Sequence, residues 1–147
     1  MKDLVKDLNE FLADLNVYYR KFQNYHWNIQ GKSFFIMHTK LEEYYNEINE
    51  QIDEIAEHIL ILGYQPLGRM QDYLEISNVK EADNVKIEMN TVLDEIISSF
   101  VDLNKKVENI KMKADNQNCY STSSLMDEYI SSYKKKIWML NQSKGNN

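Results

Sequence analysis

The stretch HWNIQGKSFFIMHTKLEE, residues 26–43, carries two of the chain's three histidines and joins two long apolar stripes. Before it, Leu4, Leu8, Phe11, Leu15, Tyr18, Phe22, Tyr25 and Ile29 alternate spacings of four and three. After it, Leu41, Tyr45, Ile48, Ile52, Ile55, Ile59 and Leu62 do the same. Stripes of this period are the buried faces of helices packed nearly parallel or antiparallel. Between them, Gln30 to Ser33 is a tight link around Gly31, and Ser33 is the expected N-cap of the second helix. A link this short makes the two helices antiparallel neighbours. His26 precedes the link by about as much as His38 follows it, so the hairpin brings them to one level.

Two further stripes complete the pattern: Val85, Met89, Val92, Ile96, Leu103, Val107 and Ile110, then Met126, Tyr129, Tyr133, Ile137 and Leu140. Ala114 to Ser121 is a second short link. Between Gly63 and Asp83 lies a segment too long for a turn, which contains the single Pro. Within it, LGRMQDYLEI is predicted to form a short extra helix. The expected fold is all-α, a ferritin-like four-helix bundle whose long crossover carries that extra helix. One domain is expected over 1–141, with 142–147 as a disordered tail.

Composition narrows the function. Net charge is −6, with 17 Lys and Arg against 23 Asp and Glu. An acidic chain repels a phosphate backbone and attracts cations. The N-terminal MKDLVKDLNEFLADL lacks the apolar run of a signal peptide, and nowhere is there a run long enough to span a membrane. Cys119 is the sole cysteine, which excludes an intrachain disulfide and a Cys-based metal site. A reducing cytoplasm is the simplest compartment.

The polar residues of the second helix carry the chemistry. His38, Glu42, Asp53 and Glu57 project at about 0°, 40°, 60° and 100°, a single stripe. His38 with Glu42, and Asp53 with Glu57, are i,i+4 pairs that can each converge on one ion. The pairs are separated by roughly 22 Å along the axis, so one ion cannot reach both within a chain. A two-fold axis crossing the helix near residues 47 and 48 pairs it antiparallel with its copy. His38 and Glu42 of one subunit then face Asp53 and Glu57 of the other, giving two equivalent shared sites. His26 joins at the same level. Two imidazoles and three carboxylates suit Fe(II), Zn(II) or Mn(II). His58 points about 100° away from Glu57 and is expected at the surface or beside the ligands.

At these residues the chain resembles the Dps family, ferritin-like proteins named for protecting DNA in starved cells. The matching motifs are HWN at 26–28, His38 with Glu42, DEIAEH at 53–58 and IWML at 137–140. The resemblance implies a hollow homo-oligomeric shell of twelve subunits, iron oxidised at ferroxidase centres on the two-fold interfaces, a ferric mineral inside, and hydrogen peroxide as preferred oxidant. It implies His26, His38 and Glu42 as ligands from one subunit and Asp53 and Glu57 from its mate. It implies radical interception at Trp27, which also suits an anchor at a helix end. Three departures stand out. Glu42 replaces a frequent Asp, His58 replaces a usual Arg, and Cys119 to Ser124 lacks the acids that often line the three-fold pores. Asp127 and Glu128 are the nearest substitutes there.

Two irons held together can deliver two electrons to one peroxide without releasing hydroxyl radical. The ligands must be deprotonated, so activity is expected to fall in acid. DNA binding is the rival activity. Lys2 and Lys6 alternate with Asp3 and Asp7, and Lys134 to Lys136 fan over about 200° of helix, so no compact basic patch is expected. A non-catalytic scaffold bundle and a carrier of Zn or Mn are two further rivals. A scaffold explains the stripes but not the register of His26, His38, Asp53 and Glu57.

Overall fold

Five α-helices run in chain order through the computed structural model, which describes residues 1–144. They are α1 (Lys2–Asn28), α2 (Phe34–Ile61), α3 (Met70–Ile76), α4 (Met89–Asn116) and α5 (Tyr120–Lys144). Two-residue strands, β1 (Ile29–Gln30) and β2 (Ile87–Glu88), complete the set. The chain divides into two units, Leu8–Val92 and Met1–Asp7 with Leu93–Asn147. Among the described residues no helix is long and apolar enough to cross a membrane.

In the first unit, α1 and α2 form the expected antiparallel hairpin. Leu8, Phe11, Leu15, Phe22, Leu41, Ile48, Ile55 and Ile59 are buried, as the four-three spacing predicts. The rings of Tyr19 and Tyr45 and of Phe22 and Tyr44 meet across the hairpin. Burial pushes the Tyr44 hydroxyl up to about 12, with help from the Glu43 and Glu47 carboxylates. Gly31 (φ 122) and Ser33 (φ 66) turn the link. Ser33 does not cap α2 as expected, because its left-handed backbone makes no side-chain cap bond. A capping hydroxyl needs extended backbone to reach the first free N–H groups.

The far end of α2 closes with a Schellman motif. Tyr64 N–H donates to Ile59 O at 3.1 Å and Gly63 N–H to Leu60 O at 2.9 Å, with Gly63 at φ 89. The crossover that follows contains the predicted short helix, α3. It is pinned along α1 by three polar side chains, because irregular backbone needs partners that a helix would supply internally. Asn9 Oδ1 accepts from Leu67 N–H, Asp14 accepts from Ser77 Oγ–H, and Asn24 donates to Ala82 O. The crossover ends later than the apolar stripe predicted. Val85 is exposed and α4 begins at Met89, because Ile87 and Glu88 pair in parallel with Ile29 and Gln30.

In the second unit, α4 and α5 are antiparallel. Phe100 meets Tyr133, and ion pairs Lys144–Asp94, Lys134–Glu108 and Lys111–Asp127 descend the pair in opposite chain order. Asn118, at φ 56, stops α4. Cys119 N–H donates to Ala114 O and Asn118 N–H to Asp115 O. Helix α5 runs through Lys144, three residues past the expected domain boundary at 141. Residues 145–147 of the expected tail lie outside the described residues.

Candidate metal half-site

The last turn of α1 and the first turns of α2 bring His26 and His38 face to face. Their rings stack with centroids 3.6 Å apart and planes 12° from parallel. Each ring is tied to the other residue's backbone. His26 Nδ1 lies 2.6 Å from His38 O, and His38 Nδ1 lies 2.8 Å from His26 O. A carbonyl only accepts, so both Nδ1 atoms carry a proton, and in the neutral rings both Nε2 atoms keep a lone pair. That is the tautomer a metal-binding imidazole needs, held by the kind of bond that orients metal ligands. His26 O belongs to the last turn of α1, where carbonyls lack intrahelical partners, so His38 also caps that helix.

Glu42 stands beside the pair. Its Oε1 is 3.8 Å from His26 Nε2, beyond a hydrogen bond but within the roughly 4.2 Å that two donors on one ion can span. Tyr45 OH donates to the same oxygen at 3.4 Å. Partial burial, then the Glu42 charge and hydrogen bond, push the Tyr45 hydroxyl up, so it stays a donor at neutral pH. His26 is buried, whereas the Glu42 side chain is 54% exposed. The group therefore opens on solvent along the α2 face. Neither the reciprocal histidine bonds nor the role of Tyr45 is expected from sequence. Its spacing marks Tyr45 only as a core position, although it lies one helical turn beyond Glu42.

The remaining expected residues fall as follows. Asp53 and Glu57 are exposed on α2, and the helix that carries them holds them away from His38 of the same chain. Among the described residues, no three His, Cys, Asp or Glu side chains of one chain are placed to hold a metal ion by themselves, the His26, His38 and Glu42 half-site included. His58 is buried, which goes against the first of its two expected positions, at the surface or beside the ligands, and burial lowers its pKa although the Glu54 charge opposes this. Trp27 is exposed, with the Arg20 guanidinium 5.9 Å from its ring centroid. Asp127 pairs with Lys111 at 2.9 Å, and Glu128 beside it is exposed.

Comparison with known proteins defines the class first. The model of the ferritin-like domain matches residues 5–144. The chain is 35% identical to DNA protection during starvation protein 2 of Bacillus anthracis, over 95% of this chain and 94% of the relative. The solved Dps of Staphylococcus aureus superposes with a TM-score of 0.94 at 33% identity, covering 100% of this chain and 98% of that one. The Dps of Vibrio cholerae O1, described as a ferritin-like diiron-carboxylate protein, gives 0.91 at 36% identity, over 96% and 88%. The chain belongs to the Dps family, and its all-α fold is the ferritin-like one.

Proposed function

We propose that this chain is a mini-ferritin. It oxidises Fe(II), preferably with hydrogen peroxide, at sites shared between two subunits, and stores the ferric product in a hollow homo-oligomeric shell of twelve. The observation that carries this reading is the half-site itself: two imidazoles fixed in the ligating tautomer beside a solvent-facing carboxylate. His26, His38 and Glu42 bind from one subunit, and Asp53 and Glu57 complete the site from a second copy.

A second observation supports the shared arrangement. Phe35 and Ile36 at one end of α2, and Leu60 and Ile61 at the other, are all exposed large apolar residues. They are centred on residue 48, where the ligand spacing puts the two-fold axis. Phe35 and Leu60 project at about 60° and 40°, within the ligand stripe, and the other two at about 160° and 140° beside it. Pairing α2 with its copy covers these residues and brings the two ligand pairs together in one movement.

Iron is the substrate. Two Fe(II) ions each give one electron to one peroxide; its O–O bond breaks, and two protons complete two waters. The ligand set favours this by supplying carboxylates that stabilise Fe(III). Trp27 beside the half-site intercepts stray one-electron oxidants. Cations enter past Asp127 and Glu128, although Lys111 weakens the negative charge there. The lone Cys119 fits a reducing, cytoplasmic location.

The test is Fe(II) oxidation by metal-free protein, with peroxide added anaerobically and a radical trap present. Fast ferric absorbance at about two Fe(II) per peroxide, with the trap silent, is expected. Oxidation no faster than in buffer alone refutes the reading and leaves zinc or manganese binding, or a scaffold, to be measured next.

A further inference from the structure

Tyr45 touches both kinds of donor in the half-site. Its hydroxyl donates to Glu42 Oε1, and its ring stands edge-on to His26 with centroids 5.4 Å apart and planes at 81°. Tyr19 of α1 meets the same ring edge-on, at 5.8 Å and 83°. Two aromatic contacts from α1 therefore fix the ring, and the hydroxyl becomes a fixed point above the α2 surface. Glu42 has no such restraint of its own. An exposed glutamate side chain turns about three torsions and samples many rotamers. The oxygen that Tyr45 engages is the one facing His26 Nε2. A carboxylate oxygen has two lone pairs, so this bond leaves one on Oε1 and both on Oε2 for an ion.

We propose that Tyr45 is a positioning residue that holds the Glu42 carboxylate beside the two histidines, in the rotamer that receives a divalent metal. The inference rests on the proposed half-site and adds a residue to it. Binding is strengthened because the flexible ligand is oriented before the metal arrives.

The test uses the full-chain, metal-free protein titrated with cobalt(II) chloride, followed by its visible ligand-field bands. Tyr45→Phe keeps the ring and both edge contacts and removes only the hydroxyl. It is expected to weaken cobalt binding about tenfold and to shift the bands. The Fe(II) KM rises while kcat changes less, because the lost interaction acts at binding. In a Glu42→Ala background, Tyr45→Phe is expected to change nothing further. Wild-type affinity and bands in Tyr45→Phe overturn the proposal. So does an equal loss with and without Glu42, which makes a role of the hydroxyl other than holding Glu42 the cause. If the unsubstituted protein binds no cobalt, or His38→Ala leaves binding unchanged, the half-site reading itself fails.

Discussion

His38 serves the fold and the site with one side chain. Its Nδ1–H closes the last turn of α1, and its Nε2 is left for a ligand. His38→Ala is therefore expected to lower the stability of metal-free protein by about 1 kcal/mol, measured by denaturant unfolding. Glu42→Ala, which leaves both histidine bonds in place, is expected to cost much less. His58 behaves differently. Burial lowers its folded pKa below that of the unfolded chain, so the unfolded chain takes up its proton first. Its contribution to stability is complete above the unfolded value and declines as pH falls through about 6.5. His58→Gln is expected to flatten the fall in melting temperature between about pH 7 and 5.5, and an unchanged slope contradicts this. The proposed ligands on α2, His38, Glu42, Asp53 and Glu57, were legible as a group because helical spacing alone puts them on one stripe. The histidine clamp was not. It closes over a link that contains a left-handed Ser33, and nothing about serine announces that conformation.

The helices themselves follow from apolar spacing, and their ends follow from backbone chemistry. Gly63 was legible as a stop, since glycine favours the left-handed residue that ends a helix. Asn118 does the same work less visibly, inside a link that is narrower than the apolar spacing suggests. The late start of α4 was not legible at all. It follows from a two-residue parallel pairing of β1 with β2, which leaves no periodic trace in so short a segment. That pairing adjoins Gly31, in the link between the two histidines. At φ 122, Gly31 occupies a conformation that other residues rarely adopt, while an added Cβ meets only ordinary contacts, Met89 Cβ at 3.7 Å and Glu88 Oε2 at 3.8 Å. Gly31→Ala is thus expected to cost roughly 1–3 kcal/mol through backbone strain, read by chemical unfolding. Gly68, with open space around it and no left-handed φ, accepts Ala with little change.

At the scale of the whole molecule, charge and symmetry separate the possible activities. The chain carries −6, and the only basic run is partly engaged: Lys134 lies 3.9 Å from Glu108, and Lys136 reaches Ser132 and the Phe100 ring. The proposed shell would multiply that negative charge, so no DNA binding is expected at physiological salt. A shifted band in a gel at low salt, without divalent cations, contradicts this. In the proposed site Asp53 and Glu57 serve the histidines of a second copy, since α2 holds them away from His38 of their own chain. Sharing is tested most directly by mixing two inactive variants. Glu42→Ala spoils the histidine half of every site, and Glu57→Ala spoils the acid half. Each alone is expected to lose fast iron oxidation. Co-expressed in equal amounts and purified together, they pair at random. One intact site then forms in each mixed dimer, restoring about a quarter of the unsubstituted rate. A mixture as inactive as either variant alone contradicts a site built from two chains.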